Sequence, residues 1–173
     1  MPKNKFVTDY LEFHKKFDFP LPKCVGVPST EIAQTRLQFL LEELRETGLG
    51  LGFKLEITNG CGGRDEVKFV QDDNLPVNLF EALDGLVDLQ YVVLGTAAYL
   101  GMLEDKEDKT SFEEAWDIVH KANMQKERVK NEDESKRKTK YDCKKPKGWE
   151  SPTRKIQQML YERLQKGLRN ENS

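Results

Sequence analysis

Three acids, Glu81, Asp84 and Asp88, stand in the stretch "EALDGLVDLQYVVLG", residues 81 to 95. On a helix at 100° per residue they fall within about a 60° arc. Leu83, Leu86, Val87, Val92, Val93 and Leu94 take most of the remaining circumference, the pattern of a buried helix. Upstream, "LLEELRE" supplies Glu42, Glu43 and Glu46. The leucine stripe of that helix is centred roughly 100° from Glu43, which puts Glu43 on the shoulder of the core with Glu42 and Glu46 just beyond. Two helices would then present up to six carboxylates to one another, a prohibitive charge without a cation. An all-oxygen ligand set points to Mg²⁺ or Mn²⁺. Iron fits less well, because di-iron bundles use Glu-x-x-His pairs and neither His14 nor His120 follows a Glu by three residues. The blander alternative makes "EELRE" a solvated face and the three-acid stripe a polar seam. The helix that carries Glu81, Asp84 and Asp88 has little exposed face to spare, and that favours metal binding.

The elements that must position these acids follow from periodicity. "KFVTDYLEFHKKF" predicts a short amphipathic helix over 5–17, with Phe6, Tyr10, Phe13 and Phe17 at helical spacing. "DFPLPKCVGVPS" is a proline-rich loop ending in an N-cap at Ser29 or Thr30. The next helix is expected over 30–47, with Ala33, Leu37, Leu40, Leu41 and Leu44 as its core stripe. Residues 53–71 read as a small hairpin around a glycine-rich turn. The acid-bearing helix follows over about 78–101. After a solvated loop, Ser111 and Glu114 form a capping box ahead of a helix over 112–126. Residues 127–148 read as an extended basic arm, and 149–173 hold a C-terminal helix. The expected class is all-α, a helical bundle with a small β-hairpin-like insertion, in a single domain spanning 1–173.

The bulk numbers narrow the function classes. A chain of 173 residues suffices for one domain with a real core. A net charge of −2 gives no field favouring nucleic acid or an anionic membrane. Glu132, Asp133 and Glu134 interrupt the basic arm and argue further against a phosphate-tracking stripe. Cys24, Cys61 and Cys143 are odd in number and widely spaced, which suits a reducing compartment. Without an apolar leader or a membrane-spanning run, the cytoplasm is expected.

The chain resembles the all-α NTP pyrophosphatase superfamily, which includes MazG, the dimeric dUTPases and phosphoribosyl-ATP pyrophosphohydrolase. Glu43-Leu-Arg-Glu46 matches the first half of its Glu-x-x-Glu … Glu-x-x-Asp signature, and Glu81-Ala-Leu-Asp84 the second. Phage-type and bacterial MazG-like proteins look most similar, through "VTDYLEFHKKFDFP", "DGLVDLQYVVLGTAAYLG", "ANMQK" and "DCKKPKGWESP" taken in order. Three features depart from the pattern. The interval from Glu46 to Glu81 is long, Asp88 aligns with the metal-binding Asp as well as Asp84 does, and Cys143 stands where the tail has Gly.

The resemblance implies a Mg²⁺-dependent hydrolase that cleaves a nucleoside triphosphate to the monophosphate and pyrophosphate. It gives Glu43, Glu46, Glu81, Asp84 and Asp88 to the metal; a neighbouring carboxylate, Glu42 or Glu43, would by simple acid–base chemistry take the proton of a metal-bound water. Asn123 and Lys126, which extend the Phe112–Trp116–Val119 stripe, would bond the nucleotide and its phosphates. Lys144, Lys145 and Lys147 could reach the same anion, and His14 and Phe39 could line the base pocket. Each also has a plainer reading: helix-end polarity for Asn123 and Lys126, a solvated arm for the other lysines, and a satisfied core imidazole for His14. A homodimer or a dimer of dimers is implied. Two alternatives stay open: the same chemistry on phosphoribosyl-ATP or an alarmone, and a helical interaction module with a degenerate site.

Overall fold

The computed structural model describes residues 4–59, 65–103 and 109–171. The glycine-rich turn with Cys61, and the loop over 104–108, lie outside them. Among the described residues there are five α-helices, α1 (Lys5–Lys16), α2 (Thr30–Gly50), α3 (Leu79–Tyr99), α4 (Ser111–Asn123) and α5 (Thr153–Glu171). Strands β1 (Phe53–Asn59) and β2 (Asp65–Gln71) pair antiparallel, as do β3 (Glu127–Arg128) and β4 (Cys143–Lys144). The class is therefore mixed, helices with two small antiparallel sheets, and the all-α expectation is corrected. The second sheet lies in the segment expected as an extended arm, whose two-residue strands carry no alternating apolar pattern to announce them. No helix among the described residues is long and apolar enough to cross a membrane.

The chain divides into two compact units. The first comprises residues 6–22 and 27–100, and so holds most of α1, all of α2 and α3, and the β1–β2 hairpin. Ser29 caps α2 by accepting from the Ile32 N–H, and Asn78 caps α3 by accepting from Phe80 and Glu81. The hairpin is a closed excursion between these helices. The Asp72 N–H donates to the Gly52 carbonyl and the Asn78 N–H to the Gly50 carbonyl, so α3 begins beside the end of α2.

The two helices run past each other in opposite directions along a seam of small and polar residues. Arg36 donates to the Val92 carbonyl at 2.8 Å, Thr47 packs on Gly85, and Gly50 on Ala82. On α2 the seam is thus Arg36, Glu43, Thr47 and Gly50, rotated roughly 90° from the expected leucine stripe. Leu37, Leu41 and Leu44 are exposed. The expectation of a fully buried α3 needs the same correction, since Leu83 is 62% exposed, Leu86 53% and Val87 50%. Its buried positions are Ala82, Gly85, Leu94, Gly95, Ala97 and Ala98. Hydrophobicity marked one face of each helix, while close approach uses the residues with the least side chain.

The second unit, built on residues 1–5, 23–26 and 101–173, contains α4, α5 and the β3–β4 pair. Its capping box is Thr110 with Glu113, one residue before the expected pair. Leu103, Ala122, Val129 and Met159 are its buried apolar side chains. Arg163 on α5 bonds Glu114 on α4 at 3.0 Å. Cys24 and Cys143 are free thiols.

The seam yields a stability prediction. A Cβ on Gly50 would stand 2.4 Å from the Ala82 backbone nitrogen, and one on Gly85 2.9 Å from that of Thr47. Helix propensity favours Ala over Gly by about 1 kcal/mol, but overpacking against backbone costs about 1–3 kcal/mol or more. Gly50→Ala and Gly85→Ala should each lower the melting temperature. Gly26→Ala, with open space around it, should leave it unchanged.

Candidate functional site

The helix seam decides which acids meet. Glu43 lies seven residues, two helical turns, from both Arg36 and Gly50, and it is half-buried where α3 passes. Its carboxyl is pushed above its ordinary value, first by burial, then by the charges of Asp88, Glu46, Glu42 and Asp84. Two of those four charges sit on α3, so the structure brings the two acidic clusters to one place. Glu42, Glu46, Glu81, Asp84 and Asp88 are solvent-exposed, and Glu81 is not among the charges that perturb Glu43. Among the described residues none of the six carboxylates has an ion-pair partner.

The donor chemistry suits a hard divalent cation: oxygen ligands only, net negative, and lacking a countercharge. The present side-chain arrangement is not a closed coordination shell. Among the described residues no group of three or more His, Cys, Asp or Glu is disposed to hold a metal ion.

At the other end of the seam an aromatic cavity of about 410 Å³ opens between α1, α2 and α3. His14 and Phe39, both singled out in the sequence, line it, together with Tyr10, Phe13, Phe19, Arg36, Tyr91, Val92 and Tyr99. His14 is only 2% exposed. Its Nε2 is 2.8 Å from the Tyr10 hydroxyl, while its Nδ1 and the Arg36 Nε have no hydrogen-bond partner. Burial, aided by the Arg36 charge, lowers the His14 pKa, and the nearby Phe19 backbone acts the other way. The imidazole is therefore neutral. Burial pushes the Tyr10 hydroxyl up to about 12, against the opposing Arg36 charge. The Arg36 guanidinium lies 5.3 Å from the Phe39 ring centre and 5.8 Å from that of Tyr99. Gly95 makes room for this, because a Cβ there would stand 2.3 Å from the Arg36 guanidinium and 2.5 Å from the Tyr10 hydroxyl.

Sequence reasoning missed Arg36, Tyr10, Tyr91 and Tyr99. The available signal was Arg36 itself, a cation seven residues, two turns, before Glu43 on the same helical face.

Asn123, Lys126, Lys144 and Lys147 belong to the second compact unit. Asn123 is exposed at the end of α4. Lys126 is half-buried, its ammonium 5.9 Å from the Trp149 ring centre. Lys144 is engaged by Glu134 at 2.9 Å, which raises its pKa through that hydrogen bond. Lys147 is exposed. No protein-family model and no curated protein matches the chain.

The crowding of Glu43 has a thermodynamic sign. Its folded pKa is raised, so the charged carboxyl destabilises the fold above that pKa, and the penalty disappears once the pH falls below the ordinary value of 4.5. In chelator, Glu43→Gln should raise the melting temperature at pH 7, and the gain should vanish below pH 4.5. Thermal unfolding across that range checks it, and a lower melting temperature at pH 7 would contradict the crowding.

Proposed function

We propose that the protein is a Mg²⁺-dependent nucleoside triphosphate pyrophosphohydrolase of the MazG-like kind, with Mn²⁺ as a substitute ion. One observation carries the reading: a half-buried Glu43 crowded by Asp84 and Asp88 from the neighbouring helix, with no ion-pair partner among the described residues. Glu43, Glu46, Asp84 and Asp88 would hold the cation, with Glu81 one turn further along α3. A bound divalent ion would lower the pKa of a water and neutralise substrate phosphates. Glu42, exposed beside this group, is the proposed acceptor of the water's proton. Asn123, Lys126 and Lys147 keep the roles at nucleotide and phosphates that the resemblance implies, whereas Lys144 would first have to leave its pairing with Glu134.

The aromatic cavity supports a planar heterocycle as the part of the substrate that is recognised. Its rings offer stacking surfaces, and the neutral His14 and Arg36 offer polar atoms without partners. Exposed leucines on α2 and α3, and an apolar groove of about 340 Å³ lined by Phe6, Leu86, Val87 and Leu94 among others, support assembly as a homodimer or a dimer of dimers. The same exposed faces favour the second reading, a helical interaction module without catalysis.

Hydrolysis of a panel of ribo- and deoxynucleoside triphosphates separates the two. With Mg²⁺ the products should be a monophosphate and pyrophosphate, and EDTA should abolish the reaction. Asp84→Asn and Glu46→Gln should each reduce kcat by about 100-fold or more without lowering the melting temperature in chelator. Diphosphate and orthophosphate as products, or full activity in chelator, would overturn the proposal. A folded protein inactive on the whole panel would favour the interaction module.

A further inference from the structure

The β3–β4 pair aligns two lysines that the acidic site does not use. Glu127 pairs with Lys144 and Arg128 with Cys143, and Lys126 and Lys145 directly adjoin the first of these pairs. Lys144 is held by Glu134 at 2.9 Å, which leaves Lys126 and Lys145. Both reach the same aromatic ring. The Lys145 ammonium lies 4.3 Å and that of Lys126 5.9 Å from the Trp149 ring centre.

Trp149 is itself fixed. Its backbone N–H donates to the Pro146 carbonyl at 3.1 Å, closing the turn "PKGW". Gly148, at φ +82, takes the position of that turn that requires a left-handed backbone. The indole Nε1–H donates to the Ala122 carbonyl at the end of α4, 2.8 Å away. Among the described residues neither Lys126 nor Lys145 has an ion-pair partner. Two like charges are thus held beside one rigid ring with no carboxylate between them, whereas Lys109, Arg137 and Lys144 of the same unit are all paired.

The geometry points to an anion clamp formed by Lys126 and Lys145 and positioned by Trp149, whose ligand is a polyphosphate-type anion with inorganic pyrophosphate as its smallest member. The inference rests on the proposed function for the phosphate-binding role of Lys126. It selects Lys145 from the three lysines of "KKPK" as the second ligand group, and makes Trp149 a positioning residue that sets the orientation of both ammoniums through cation–π contact.

Trp149 reports on its own site. The chain has two tryptophans, and Trp116 is exposed at 66%, so Trp116→Phe leaves a single-tryptophan protein. Titrated with pyrophosphate in EDTA, its fluorescence should change saturably. Lys145→Gln and Lys126→Gln should each weaken binding about tenfold or more, the scale of losing one charge-assisted contact. Lys145→Arg should retain binding, and Lys140→Gln, whose ammonium lies over the exposed Tyr141 ring instead, should have no effect. Trp149→Phe should weaken pyrophosphate binding, followed by calorimetry, with the melting temperature recorded alongside. The clamp is refuted by no saturable response, or by Lys145→Gln binding as tightly as the parent at an unchanged melting temperature. Pyrophosphate binding in chelator by a protein that hydrolyses none of the triphosphate panel with Mg²⁺ would leave the clamp standing and sink the enzyme. Hydrolysis without pyrophosphate binding would do the reverse.

Discussion

The close approach of α2 and α3 at two glycines is the constraint on which the rest of the first unit depends. Gly50 lies against the backbone of Ala82, and Gly85 against Thr47. Neither contact has room for a methyl group. The hairpin between the helices is pinned at its base by the bonds from Asp72 to Gly52 and from Asn78 to Gly50, which fixes where α3 starts relative to α2. Once the start and spacing are fixed, antiparallel passage dictates what faces what. Thr47 meets Gly85, Glu43 comes under the charges of Asp88 and Asp84, and Arg36 reaches Val92 and Gly95.

One seam therefore creates two chemically opposite places. Toward the end of α2 the helices are so close that acids beside the seam crowd each other, and the raised pKa of Glu43 is the direct consequence. Toward its beginning, Gly95 opens space for a guanidinium and a phenol, and α1 brings Tyr10, Phe13 and His14 to close an aromatic cavity. A negatively charged patch short of a cation and an apolar cavity with unpartnered polar atoms lie on the same rigid helix pair. That is a physical basis for a ligand with a planar ring at one end and a metal-complexed polyanion at the other.

Much of this was legible in the sequence, and the failures have a common cause. All five helices fall close to their expected spans because caps and breakers are local: Ser29, Asn78 and Thr110 each bond backbone N–H groups within three residues. The acid clusters could be read because a carboxylate stripe is conspicuous on an apolar helix. The packing faces could not. Leu37, Leu41 and Leu44 advertised a core stripe and lie exposed, whereas the seam was made of Thr47, Gly50, Ala82 and Gly85, whose contribution is the absence of bulk. Hydrophobic periodicity reports which face is apolar, and here the apolar face of α2 is not the one packed against α3. The second sheet escaped for another reason, since strands of two residues have no period to detect.

Binding of Mn²⁺, followed through the loss of the free aqueous ion's paramagnetic resonance signal, tests most directly whether the crowded acids exist to hold a cation. The account predicts saturable binding to the intact protein, lost when Glu43→Gln and Asp88→Asn are combined, with both proteins folded. No saturable binding to the intact protein, or equal binding to the doubly neutralised one, would contradict it.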